Sequence, residues 1–262
     1  MTLYTEEMAA EVSDLATRMG KDVHIHIKLD TGMSRLGFPI CEESADAIER
    51  ISKMPHLQME GMFTHFAKAD EEDKSFTEKQ LNAYLWMKQR LEEKGVQFSY
   101  YHCSNSAGII DVPEANMDLV RAGISIYGLY PSGEVNKANV PLKPALQWVS
   151  HVAHVKWVEA GTPVSYGGTY VTDRRTKLAT IPVGYGDGYP RSLSNKGYVL
   201  IKGQKAPIRG RVCMDQMMVD VTEIDDVAYE DQVILVGRDG EEELPVEVLS
   251  DLSTGRDRKS VV

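Results

Sequence analysis

Long apolar runs are missing from this chain: nowhere in its 262 residues is there an uninterrupted stretch of the roughly 18 that a membrane-spanning helix needs. The opening Met1-Thr2-Leu3-Tyr4 has neither a basic nor an apolar segment, so no secretory leader is read there. Cysteine is scarce. Cys41, Cys103 and Cys213 are odd in number and far apart, with no C-x-x-C pair. That speaks against a disulfide framework and a zinc cluster, and it fits a reducing, cytoplasmic setting. Positive charge is also short: 29 Lys and Arg face 39 Asp and Glu, a net charge of -10. Such a surface repels phosphate backbones, so neither a nucleic acid nor an anionic membrane is expected as partner. The average still leaves room for a local basic pocket holding one small phosphate. With 42% hydrophobic residues, the chain has material for one large core or two ordinary ones.

What is present is ordered in two styles. Met8, Val12, Leu15 and Met19 recur at helical spacing behind Thr5 as cap, with Glu6 and Glu7 in the first turn and Gly20 as stop. A strand follows over about 23–29, in which Val23, Ile25 and Ile27 alternate with His24, His26 and Lys28. A helix is expected around 42–53, a strand over 59–65, and a long helix over 75–94 with Leu81, Tyr84, Met87 and Leu91 as its stripe and Gly95 as its end. Another short strand over 98–103 and one ending at Val120-Arg121 complete a βα alternation, the grammar of a parallel sheet or barrel. Beyond Pro141 the style changes. Residues 146–158 alternate at length, and Gly and Pro separate β-rich runs at 178–183, 198–201 and 233–236. The expected organisation is α/β plus β: a partial (β/α)8 TIM-type barrel over 1–140, then a mostly-β domain over 141–256. The Pro-, Gly- and Asn-bearing segment 131–144 makes the junction.

Polar clusters gather at the expected strand ends: Lys28 with Arg35, His65, Asn105-Ser106, and Arg121 ahead of Gly123-Ile124. In a barrel such ends converge on one catalytic face. Ser106 with the amides of Gly123 and Ile124 would suit a phosphate, since small residues let the main chain approach and N–H groups favour an anion. Taken singly, each cluster also reads as an ordinary loop, Lys28 and Arg35 as solvated cations, and His65 as a hydrogen-bonded structural histidine. The run Asp70-Glu71-Glu72-Asp73 lacks spaced partners and reads as a solvated loop, so no metal is assigned. Three glycine-rich or compact clusters remain, around Tyr166, around Tyr185 and over 211–216. None is a G-x-G-x-x-G opening a helix, so a dinucleotide site is a poor fit.

Together these segments resemble the alanine racemases, enzymes that use pyridoxal 5'-phosphate to interconvert L- and D-alanine. The likeness rests on KLDTGMSRLGF, THFAKAD, CSNSAG, VRAGISIYG, VSYGGTY, IPVGYGDGY and GRVCMDQ, in that order from Lys28 to Gln216. It implies a barrel followed by a β domain, in a head-to-tail homodimer whose active sites combine the barrel of one subunit with the β domain of the other. It further implies that Ser106, Gly123 and Ile124 hold the phosphate, with Asn105 in support, while Arg121 meets the pyridine nitrogen. A guanidinium only donates, so it disfavours a protonated ring nitrogen and weakens the electron sink. His65 would help set Arg121 and the base. Arg35 would lie near the cofactor's phenolic oxygen and the substrate carboxylate, oriented by Lys28, which is carbamylated in many relatives. Met214 would approach that carboxylate from the partner subunit, Tyr185 would line the entrance and Asp215 would support it. Tyr166 would be the base or acid on one face of Cα. A phenol's ordinary pKa near 10 means that cations must lower it for this work.

The likeness also marks departures. The family's covalent cofactor lysine, in a run close to V-K-A-N-A-Y-G-H-G, is not in this sequence, and a phosphate-binding tyrosine expected after Glu247 is not found either. The chain therefore reads as a fragment that begins partway round the barrel, folds poorly and racemises nothing by itself. Residues 257–262, Asp-Arg-Lys-Ser-Val-Val, read as a non-native tail translated from a sequencing adapter. Two other readings are a broad-specificity amino-acid racemase and a non-catalytic pyridoxal-phosphate-binding barrel protein. The latter would lack the β domain that carries Tyr166.

Overall fold

The computed structural model describes residues 1–253, so the expected tail at 257–262 lies outside the described residues. The chain divides into two compact units, Met1–Ala145 and Leu146–Val262.

The first unit runs β1 (Thr2–Leu3), α1 (Glu6–Met19), β2 (Val23–Asp30), β3 (Phe38–Pro39), α2 (Glu42–Ser52), β4 (Leu57–Phe63), α3 (Ser75–Glu93), β5 (Tyr100–His102) and α4 (Ser106–Asp111). Its sheet has the order β1-β2-β4-β5, every pair parallel, with β3 added beside the end of β2. A parallel sheet requires crossovers, and α2 and α3 provide them. Ile25, Ile27 and Leu29 are fully buried, each worth roughly 1.5–3 kcal/mol of transfer from water. Leu81, Tyr84, Met87 and Leu91 form the buried stripe of α3, and Tyr84 Oη donates to the carbonyl of Met62 at 2.8 Å, tying the helix to the sheet.

Three expectations need correction. Thr5 does cap α1, accepting from Met8 N at 3.2 Å, and Gly20 does end it at φ 59°. The fully buried stripe, however, is Ala9, Ser13 and Ala16; of the expected set Met8 and Val12 pack half-buried against the core, while Leu15 and Met19 are exposed. Small residues let this helix lie close to its neighbours, and they carry little hydrophobic signal. Second, no strand forms ahead of Arg121. Asp118 N and Arg121 N donate to Tyr101 O and Ser104 O, and that three-residue interval, after Met117 at φ 40°, does not match the two-residue repeat of a ladder. The third concerns 146–158, described with the second unit. Segment 131–144 packs on the first unit: Val135 joins its core, and Asn136 and Asn139 bond Asp111.

The second unit contains β6 (Trp148–His151), β7 (His154–Val158), β8 (Pro163–Val164), β9 (Tyr170–Val171), β10 (Thr176–Ile181), β11 (Tyr198–Ile201), β12 (Gln204–Pro207), β13 (Met217–Asp220), β14 (Gln232–Asp239), β15 (Glu242–Leu244) and α5 (Val246–Ser253). All pairings are antiparallel: β13-β10-β7 in one sheet, β12-β11-β14-β15 with β6 on β14 in another, and β8-β9 as a separate pair. The alternating stretch 146–158 is thus two strands, not one. At Val152 the main chain donates to Asp231 O and at Ala153 to Thr180 O, so the chain changes sheets between these residues. Period-two alternation survives that switch, which is why the sequence pattern runs through it.

Candidate active site

Lys28 lies two residues before the end of the strand β2, and the loop after that strand is wound by its own side chains. Asp30 Oδ1 accepts from Gly32 N and Ser34 N, both at 3.0 Å. Gly37 sits at φ 133°, where a Cβ would come within 2.6 Å of the Asp30 and Leu29 main chain, so only glycine lets β3 close on β2. Arg35 is exposed, as a solvated cation would be. Lys28 is not: it is 3% exposed, donates to Leu29 O and lies 5.6 Å from the Phe63 ring centroid. Burial pushes its ammonium down to about 8, with Asp30 opposing and Arg121 and Arg35 adding to the shift. A folded value below the unfolded 10.5 means that the unfolded chain holds the proton more tightly. The charge therefore destabilises the fold below pH 8, and the loss is recovered as pH rises from there to the unfolded value. Lys28→Met is expected to stabilise the first unit at pH 7 by about 1–2 kcal/mol, after discounting the lost bond to Leu29 O. It should also abolish Lys28's share of the rise in stability above pH 8; urea titrations of both proteins at pH 7 and pH 9.5 read the difference.

Two further clusters stand in the same unit. Asn105 caps α4 by accepting from Gly108 N at 3.0 Å and anchors to Phe66 O. This places Ser106, itself buried, in the first turn. Its Oγ accepts from Gly123 N at 2.9 Å and Ser125 N at 3.3 Å, and pairs with Ser125 Oγ at 3.1 Å. Two residues before Gly123, the Arg121 guanidinium is held on four bonds. Nη1 donates to His102 Nδ1 at 2.5 Å and, at 3.4 Å, to His102 O; Nη2 donates to Thr64 O at 2.6 Å and Cys103 O at 3.0 Å. Phe63 lies 5.1 Å below it and stacks on His102 at 4.7 Å. A guanidinium has five N–H donors, so these bonds leave the Nε–H. Burial lowers the pKa of Arg121 and brings that of His102 down to about 4, the latter aided by Arg121 and His26. His65 is half-buried, and its carbonyl accepts from Gln80, which also bonds Thr31.

In the second unit the three clusters that the sequence keeps separate form one site. Tyr185 N and Gly186 N donate to Cys213 O and Met214 O at 3.0 and 2.8 Å, and Asp187 turns the loop by accepting from Gly184 N. Ser165 Oγ donates to Arg211 O at 2.6 Å. Ser165 itself takes φ 64°, ψ -176°, a conformation costly for a residue with a Cβ. Ser165, Tyr166 and Gly167 face Cys213, Met214, Asp215 and Gln216 across an open depression of about 720 Å³. Tyr166, Tyr185 and Met214 are 69%, 44% and 56% exposed. Each presents a reactive or apolar side chain outward from a glycine-loosened loop.

The first unit thus brings Ser106 together with Gly123 and sets Arg35 within electrostatic reach of Lys28; the second joins Tyr166, Met214 and Asp215, with Tyr185 bound to their loop. His102, Thr64, Phe63 and Ser125 were not singled out by sequence. His102 had a signal, since it directly precedes Cys103 in CSNSAG. His26 did too, sharing a strand face with Lys28.

Comparison with known proteins agrees over nearly the whole chain. The family model for the alanine racemase N-terminal domain matches residues 1–131, and that for the C-terminal domain matches 145–256. An alanine racemase of Clostridium tetani is 48% identical over 237 residues, 90% of this chain and 61% of that protein. The solved alanine racemase of Clostridium difficile 630 superposes with a TM-score of 0.93 at 40% identity, covering 100% of this chain and 67% of that one, and is known also in complex with cycloserine. The alanine racemase of Bartonella henselae, solved with covalently bound pyridoxal phosphate, gives a TM-score of 0.84 at 30% identity over 99% of this chain and 69% of that one. The chain spans 61% of the length of the first of these relatives. Its parallel β/α sheet and its β unit are the barrel and the C-terminal domain of that fold, and the chain belongs to the alanine racemase family.

Proposed function

We propose that this chain supplies the phosphate-binding barrel arc and the tyrosine-bearing β domain of a cytoplasmic, pyridoxal-phosphate-dependent alanine racemase, which provides D-alanine for peptidoglycan. The observation that carries the reading is the seat of Arg121. Four bonds to backbone and His102 hold it rigid, and its Nε–H remains to meet a ring nitrogen. Ser106 Oγ, where three donors meet, fits a phosphate in the same way. Ser106, Gly123 and Ile124, joined here by Ser125, would hold the phosphate, with Asn105 fixing the turn that carries them. When bound, the cofactor supplies an electron sink that acidifies the substrate Cα–H.

The rest belongs to side chains. Tyr166 takes or returns a proton at one face of Cα through its phenolic oxygen, on a loop that Ser165 and Gly167 hold outward. Arg35 pairs with the substrate carboxylate, and Lys28 orients it once carbamylation turns that cation into an anion. His65 supports Arg121 and the base. Met214, Asp215 and Tyr185 shape the approach, and in a homodimer they and Tyr166 serve the partner's barrel, giving composite sites. A racemase needs a second proton-transfer group on the opposite face, and the family lysine that fills this role is not among these residues. The isolated chain is accordingly expected to show no alanine turnover. In a full-length racemase bearing this sequence, Tyr166→Phe should suppress solvent deuterium exchange at Cα from one alanine enantiomer about a hundredfold or more, leaving exchange from the other. Equal loss from both enantiomers would contradict the assignment.

A further inference from the structure

Arg121 does not end its line of contacts at His102. His102 Nε2 lies 3.0 Å from His26 Nδ1, His26 Nε2 lies 3.2 Å from Glu60 Oε2, and the other oxygen of Glu60 lies 3.3 Å from His24 Nδ1. The chain is built for this line. Between Ile25 and His26 the β2–β4 register slips, so that Ile25 pairs with Met59 but His26 with Gly61. Glu60 is the extra residue of that bulge, which brings it beside both His24 and His26. Gly61 leaves the space that the His26 ring fills, since a Cβ there would sit 2.3 Å from His26 Nδ1. His102 is fixed in plane by its stack on Phe63.

Donor chemistry gives the line one direction. A guanidinium has no acceptor, so His102 Nδ1 must offer a lone pair to Arg121. A neutral His102 then carries its proton on Nε2 and donates it to His26 Nδ1. His26, accepting there, carries its own proton on Nε2 and donates it to Glu60. Only a group that accepts can stand at the far end, and a carboxylate does so without competing as a donor. An imidazolium at His26 would set two donors against each other at the His102 contact.

We propose that Glu60 is a positioning residue for Arg121: with His26 and His102 neutral and protonated on Nε2, it closes a one-way hydrogen-bonded line that holds the guanidinium in its seat. The use of that seat rests on the function proposed above, but the line exists without cofactor. Hydrogen bonds aligned in one direction polarise one another, so the carboxylate strengthens the acceptor that His102 presents.

The test is 15N-histidine NMR of the full chain at pH 7.5 without cofactor, in solution or by magic-angle spinning of sedimented protein. His26 and His102 are expected as Nε2–H tautomers with slowly exchanging ring protons. Glu60→Leu should speed water exchange of the His102 Nε2–H about tenfold or more, the loss of a hydrogen bond to a charged group. Glu60→Gln, whose amide oxygen still accepts, should restore protection. A wild-type proton on Nδ1 of either ring, or exchange unchanged in Glu60→Leu, overturns the proposal. If the tautomers stand while the chain binds no pyridoxal phosphate, the line holds and the proposed function falls.

Discussion

Arg121→Leu is expected to destabilise the first unit by about 3 kcal/mol, read as a lower urea midpoint with an unchanged slope. The leucine strands three acceptors at once, Thr64 O, Cys103 O and His102 Nδ1, while His102 O keeps its bond from Thr64 N at 3.3 Å. Each buried acceptor left unpaired costs about 1–3 kcal/mol. Against this stands the relief of a buried cation, whose lowered pKa records the desolvation. Removing one member of a satisfied buried network usually costs more than that relief returns. Arg121→Lys should recover only part, because one ammonium cannot point at the carbonyls just past β4 and β5 and at an imidazole together.

Gly184→Ala should have an effect of the same size in the second unit, about 3 kcal/mol, and it should also open the site. A Cβ at Gly184 would lie 2.3 Å from both Cys213 O and Met214 O, which are main-chain atoms that cannot swing aside. Relieving the clash means breaking Tyr185 N to Cys213 O and Gly186 N to Met214 O, the two bonds that hold the tyrosine loop to the methionine loop. The methyl resonance of Met214 should shift in this variant along with the fall in thermal midpoint. Gly188→Ala is the control. Gly188 has φ 96° with open space around its Cβ position, so the backbone conformation alone should cost about 1 kcal/mol and the Met214 signal should stay in place.

These two sites also show what a sequence discloses. Tyr166, Tyr185 and the 211–216 cluster are visible because glycines and reactive side chains crowd together, but that they form one loop assembly depends on β-register. Ser106 and Gly123 were legible as neighbours because both stand at expected strand ends, and the structure joins them through Gly123 N and Ser106 Oγ. Ser125 was not, since one more serine in a loop carries no signal. The Lys28 cation read as solvated because alternation places it opposite Ile27, yet it is only 3% exposed: the second face of a parallel sheet is covered too. The α1 stripe was misplaced for a related reason. Helical spacing fits Met8, Val12, Leu15 and Met19 as well as the buried Ala9, Ser13 and Ala16, and hydrophobicity favours the former set, of which only Met8 and Val12 reach the core. Glu60 was illegible because a bulge shifts register by one residue, and strand alternation does not mark it.

The measurement that bears most directly on the account is equilibrium binding of pyridoxal 5'-phosphate to the chain, with Ser106→Ala beside it. The account predicts saturable binding of one cofactor per chain, weakened about tenfold or more when the serine hydroxyl is removed, the worth of one hydrogen bond to a charged group. Absence of saturable binding by folded chain, or equal affinity in Ser106→Ala, would contradict it.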